Sequence, residues 1–357
     1  MADHPYRSLP DSAYWRRTVA AGGAGVDPLV GDFPRIGRAD RVATAGSCFA
    51  QHVARKLAAS GFNYLVTERA HPIVDAEAAR AAGYGVYTAR YGNIYTTLQL
   101  VQLVDRAYGH FIPVEDVWAS PDGKSVVDPF RPTVQPGGFA SEAEMHADRA
   151  QHFSAVREAL ETLDVMIFTL GLTEGWVATI DGAAFPLCPG VAGGTFDPSA
   201  HAFRNLRMAE IRAQIGEFVE RLHAINPKAR LILTVSPVPL AATASGNHVL
   251  PATIYSKSVL RAAAQEAAED LEGVYYFPSY EIVTGPQARG RFFAEDLREV
   301  TEEGVEQVMR IFLRHAAGIE VETKALATAV DEDGFTAEMS QWVETMCDEA
   351  MLDGEDA

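Results

Sequence analysis

The chain has 357 residues, 48 % of them apolar and 22 % charged, the composition of a globular protein with a sizeable core. A formal charge of −18 excludes the basic surface with which nucleic-acid binders displace counterions, so no nucleic-acid partner is expected. No apolar run approaches the ~20 residues that span a bilayer, so no membrane span is expected. The opening residues Met1-Ala-Asp-His-Pro-Tyr6 show neither the basic nor the apolar part of a secretory leader. Cys48, Cys188 and Cys347 are too few and too scattered for a disulfide framework or a zinc site. Together these features predict a cytoplasmic protein without metal or cofactor.

Charge divides the chain unevenly. From Glu320 onward there are 12 acids against one lysine, so the tail carries −11 of the −18 and the preceding residues −7. Within the tail Phe335, Met339, Trp342 and Met346 recur at the spacing of one helical face. That face is expected to pack on the domain, or else to dock a protein partner. The expected organisation is an irregular N-terminal extension over 1–40, an α/β domain over 41–316 and an acidic helical tail over 317–357.

In chain order, Pro, Gly and short polar segments dominate up to residue 40 and predict little regular structure. Val42 to Ala45 reads as a buried strand, Gly46 as a tight turn, and Phe49, Val53 and Leu57 as the inner face of a helix. Tyr64 to Val66 reads as a second short strand and Ile94 to Tyr108 as a helix. Residues 109–139, rich in Pro and Gly, predict an irregular excursion near a site rim. Ser141-Glu-Ala-Glu144 has capping-box spacing and opens a helix through Leu163. Val165 to Leu170 is apolar throughout, as in a parallel strand covered on both faces. Trp176 to Phe185, turning at Asp181-Gly182, predicts a hairpin. A helix over 206–224, the strand Leu231 to Val235, a helix over 256–271, the strand Val274 to Phe277 and a helix from Glu302 complete the pattern. This alternation predicts a three-layer α/β/α domain with a mostly parallel sheet.

Ser47 stands where the first strand hands over to its helix. Read alone, Gly-Ser before a helix is most simply an N-cap. In a parallel sheet, however, strand ends and helix N-termini are where ligands and anions bind. The residues Gly46-Ser47-Cys48-Phe49-Ala50 spell the signature of the GSCFA-domain family. The chain resembles that family also at Pro5-Tyr6-Arg7-Ser8-Leu9-Pro10, Arg90-Tyr91-Gly92-Asn93, Gly171-Leu172-Thr173-Glu174, Ser236-Pro237-Val238-Pro239, Tyr255-Ser256-Lys257-Ser258 and Phe277-Pro278-Ser279-Tyr280-Glu281, in the same order. The resemblance covers about residues 5–315.

That family in turn resembles SGNH, or GDSL-like, hydrolases and acyltransferases. The resemblance implies an acyl-serine intermediate at Ser47, with a small, carbohydrate or lipid acyl substrate. It implies oxyanion or substrate contacts from Gly92 and Asn93, with Thr173 and Glu174 in the loop that usually supplies an asparagine. Phe293 to Thr301 aligns with the Asp-x-x-His block, with Asp296 as its acid and Glu299 where the histidine belongs. A glutamate, with a reference pKa near ~4.3, is a poor base for a serine unless burial raises it. His248 and His71, in loops able to face the site, are the alternative bases. Cys48 is a rival nucleophile, expected instead to pack inward. Lys257, read as the start of a helix, is expected to be solvated. The alternative to an enzyme is a ligand-binding or scaffold protein that keeps the pocket without turnover.

Overall fold

The structure is a computed structural model and describes residues 4–47 and 49–319. Cys48 and the apolar tail face Phe335 to Met346 lie outside the described residues.

Short helical turns, among them α1 (Val19–Gly22), lie along a largely exposed N-terminal segment. Its later part is tied down: Ile36 N–H donates to Ala316 O at 2.8 Å and Asp27 meets His315 at 2.9 Å. Strand β1 (Val42–Gly46) then leads into helix α2 (Phe49–Ala59). The expected second strand reduces to one parallel bridge between Tyr64 and Val42. Helix α3 (Ala76–Ala81) is short, and α4 (Thr97–Ala107) opens on a capping box made by Thr96 and Gln99. That cap explains why α4 begins after Ile94: Ile94 N–H is already committed to Gly46 O at 2.8 Å.

The 109–139 excursion contains a small hairpin, β2 (Trp118–Ala119) with β3 (Val126–Val127). Helix α5 (Glu142–Thr162) precedes β4 (Val165–Leu170), and the chain then leaves the main sheet through β5 (Glu174–Ala178), β6 (Ala184–Phe185) and β7 (His201–Asn205). These three form an antiparallel sheet with β5 in the middle, so the hairpin at Asp181-Gly182 gains a third strand unannounced by the sequence. Helix α6 (Met208–Ile225), β8 (Arg230–Val235), α7 (Val249–Asp270), β9 (Val274–Tyr276), α8 (Ser279–Thr284) and α9 (Glu302–Ala317) complete the described chain.

The main sheet is parallel throughout, in the order β1-β4-β8-β9. Because side chains alternate along a strand, its two faces bury different sets. Ala43, Ala45, Met166, Phe168, Leu231 and Leu233 pack with α4, α5, α6 and α7. Val42, Val165, Ile167 and Ile232 pack with α2, α8 and α9. Helices therefore cover both faces, which is what the apolar run Val165–Phe168 of β4 requires.

The register brings the strand ends level: Gly46 lies opposite Thr169 and Thr169 opposite Thr234. With Tyr64 bridged to the outer side of β1, the chain moves outward first and then reverses across β4, β8 and β9. The reversal falls between β1 and β4, and a crevice at the carboxyl ends of such strands is the usual ligand position in open α/β sheets.

Candidate active site

Gly46 makes the corner possible. Its φ of 134° suits glycine, and a β-carbon there would overlap the Thr169 carbonyl and lie 2.8 Å from the Thr169 nitrogen. Ser47 follows, 4 % exposed, with its N–H on Thr169 O at 3.3 Å and its own carbonyl accepting from Ala50 N–H at 2.8 Å. A capping serine would also accept a first-turn N–H on its side chain. Among the described residues Ser47 Oγ makes no such bond and has no hydrogen-bond partner, although it is buried.

The hydroxyls of Thr169 and Thr173 share that condition. Thr169 faces Gly46 across the strands, and Thr173 lies two residues beyond Gly171. Gly171 packs closely against Ser47, since a β-carbon on it would stand 3.0 Å from Ser47 Cβ. Buried hydroxyls are normally satisfied, and each left unmet costs about 1–3 kcal/mol. All three lie at the carboxyl ends of β1 and β4.

The Gly92-Asn93 segment closes the other side. Gly92 has a φ of 67°, and Asn93 is 3 % exposed beside Ile94, which is bonded to Gly46 O. Asn93 Oδ1 accepts from Gln51 Nε2 and Tyr87 OH, each at 3.3 Å, which fixes which way its amide NH2 points. Tyr95 O accepts from both Gly171 N–H at 3.2 Å and Leu172 N–H at 2.9 Å, joining this segment to the turn after β4. The structure thus brings Ser47, Gly92, Asn93 and Thr173 into one neighbourhood.

Glu174 is the outlying member. Its carboxylate accepts from Thr243 Oγ1 at 2.7 and 3.0 Å. Burial raises its pKa, opposed by Thr243 and the Ala244 N–H. It therefore fastens the segment after β8 rather than reaching Ser47, whose hydroxyl is unpartnered.

Asp296, Glu299 and His248 are exposed, whereas Ser47 is buried. Asp296 is exposed, and its Oδ1 accepts from the N–H groups of Arg298 and Glu299, each at 3.0 Å, in a local turn with Leu297 at φ 56°. Glu299 is exposed at the end of that turn. His248 is also exposed and is the N-cap of α7, its Nδ1 accepting from Leu250 N–H at 3.1 Å. His71 is exposed and accepts from Ile73 N–H at 3.3 Å. None of these four is hydrogen-bonded to Ser47 Oγ.

Two supports of the site were not read from the sequence. First, α7 begins at Val249 rather than at Ser256, so Lys257 lies in its third turn and is only 1 % exposed, against the expectation of a solvated lysine. Ser256 Oγ accepts from Thr173 N–H at 3.1 Å and Lys257 Nζ donates to Gly171 O at 2.8 Å, so adjacent residues clasp both ends of the turn. The clue was the extension of the helical pattern upstream through Ala252 and the N-cap His248.

Second, a buried ionic network holds the Arg90 to Asn93 segment. Arg90 meets Asp148 at 2.8 Å and its N–H donates to Glu68 at 2.7 Å. Arg131 joins Asp148 at 2.8 Å to Asp128 at 3.0 Å, and Arg149 meets Asp128 at 3.0 Å. His152 Nδ1 lies 2.7 Å from Glu68. These residues are scattered along the chain, with Glu68 and His152 84 positions apart, and no local pattern announces them.

The geometry defines an open parallel α/β domain with a buried, unsatisfied serine at the corner of its first sheet strand. The chain belongs to the GSCFA family, whose model matches residues 41–312. No curated protein matches it. Among the described residues no helix is long and apolar enough to cross a membrane.

Proposed function

We propose that this chain is an SGNH-like serine esterase or O-acyltransferase that forms an acyl-serine intermediate at Ser47. The observation that carries the reading is the Ser47 hydroxyl itself: buried, and among the described residues without a hydrogen-bond partner or a capping bond. The strand order and the helices on both faces support an SGNH-type three-layer α/β/α sandwich. In that setting Ser47 Oγ attacks the acyl carbon, and the Asn93 amide and the Thr173 hydroxyl stabilise the oxygen that becomes negative. Donors aimed at such an oxygen are worth about two to three powers of ten in rate each.

The substrate class is an ester of a small, carbohydrate or lipid hydroxyl, cleaved by water or passed to another hydroxyl. A reducing, cytoplasmic setting fits the scattered cysteines. The test is cleavage of short-chain acyl esters by the purified protein and its Ser47→Ala variant. Turnover that disappears in the variant supports the reading; equal turnover in both rejects it.

One observation favours a second reading. Asp296 spends its carboxylate on the backbone of its own turn, and Glu299 occupies the position of the base. A protein that binds an acyl ligand at these strand ends without turnover would keep the pocket and dispense with the base. Ligand-induced stabilisation with no ester cleavage would favour it.

A further inference from the structure

Lys257 occupies a position unlike that of a solvated lysine. Its side chain runs from α7 into the interior, 1 % exposed, and ends 2.8 Å from Gly171 O. Gly171 is the residue that presses on Ser47, at 3.0 Å from its added β-carbon to Ser47 Cβ. One residue therefore separates the amine from the proposed nucleophile. Lysine is almost never fully buried, because taking an ammonium out of water is costly. A carbonyl needs only a neutral donor, and the adjoining Thr173 N–H is served by the uncharged Ser256 hydroxyl. An amine at this place adds a capacity that a hydroxyl lacks, since buried lysines are the ones that serve as general bases.

We infer that Lys257 is the proton acceptor for Ser47, directly or through one water, in place of the histidine absent at position 299. The inference rests on the acyl-serine reading. In the first step neutral Lys257 Nζ takes the Ser47 Oγ proton while Oγ bonds to the acyl carbon. The resulting ammonium then gives that proton to the departing alkoxide oxygen as its bond to carbon breaks. In the second step the neutral amine takes a proton from water or an acceptor hydroxyl, whose oxygen bonds to the acyl carbon. The ammonium returns the proton to Ser47 Oγ as the acyl–serine bond breaks. Protons and charge balance over the cycle, and no further reactant is required.

The test compares wild type, Lys257→Arg and Lys257→Met by thermal melting and by the rate of fluorophosphonate attachment to Ser47 between pH 5.5 and 10. Arginine keeps the cation and a donor for Gly171 O but does not release its proton in this range. The inference predicts that folded Lys257→Arg and Lys257→Met react at least ~100-fold more slowly, the scale of a lost general base. It predicts a wild-type rate that rises with pH. A folded Lys257→Arg that reacts at the wild-type rate with the wild-type pH profile overturns it. Should neither variant melt cooperatively, the wild-type profile decides, and a rate flat from pH 5.5 to 10 overturns it equally. A wild type never labelled on Ser47 rejects the acyl-serine reading itself, an outcome distinct from a labelled wild type with an unaffected arginine variant.

Discussion

Gly171 touches Ser47 so closely that a methyl group on its α-carbon would stand 3.0 Å from Ser47 Cβ and 3.3 Å from Tyr95 O. The turn after β4 and the corner after β1 are therefore one packed unit. Gly171→Ala should push Ser47 aside by a few tenths of an ångström. The expected result is a stability loss of about 1–3 kcal/mol, the usual cost of overpacking, with a larger fractional loss of Ser47 reactivity. Urea unfolding and fluorophosphonate labelling measured side by side check this, and unchanged labelling would show that the contact does not position the serine.

Gly46 tolerates even less. An alanine there meets both a positive φ and the Thr169 backbone, neither of which can yield without breaking the pairing of β1 with β4. Gly46→Ala should cost at least about 3 kcal/mol, adding backbone strain to overpacking. A variant with a wild-type denaturation midpoint would contradict the corner geometry.

Acid should destabilise the fold through the ionic network. Burial and the Arg131 charge pull His152 down to about 4 from 6.5, against the opposing pull of Glu68. Burial alone would raise Glu68, but the His152 hydrogen bond and charge, Arg131 and the Arg90 N–H outweigh it and hold the carboxyl at about 2. Between pH 6.5 and 4 the unfolded chain takes a proton that folded His152 refuses. Its contribution is thus complete above pH 6.5 and is lost as pH falls through that window, about 3 kcal/mol in all at 1.36 kcal/mol per unit. The Glu68 contribution is complete above its unfolded value and fades further toward pH 2. Urea midpoints from pH 7.5 to 4 should fall, and His152→Gln should flatten the slope.

Position 299 tests the base assignment from the other side. Residue 299 stands three places after an acid, the spacing of an Asp-x-x-His block, but the Asp296 carboxylate is held by the N–H groups of its own turn and Glu299 is exposed. With Lys257 as the base, Glu299→His should leave the rate of Ser47 labelling within about twofold of wild type. An acceleration of ~100-fold, the scale of a positioned base, would return the base to this turn.

Local signals reported local structure well. The apolar run of β4, the capping spacing at Ser141 and the Asp181-Gly182 turn each depend on a few neighbouring residues, and each element is present. The Gly46-Ser47 corner was legible for the same reason, as strand, turn and helix are contiguous. Long-range features were not. The pairing of β7 with β5, the Glu68–His152 contact and the burial of Lys257 arise from segments far apart in sequence. Lys257 is illegible locally because Tyr255-Ser-Lys-Ser reads as a helix start, whereas α7 begins at Val249 and makes position 257 interior.

The most direct measurement is peptide-level mass mapping after exposure of the folded protein to a fluorophosphonate, with Ser47→Ala in parallel. The account predicts one adduct, on Ser47, absent from a variant that melts like wild type because Ser47 Oγ holds no hydrogen bond among the described residues. A folded wild type that carries no adduct on Ser47, and cleaves no acyl ester, would contradict it.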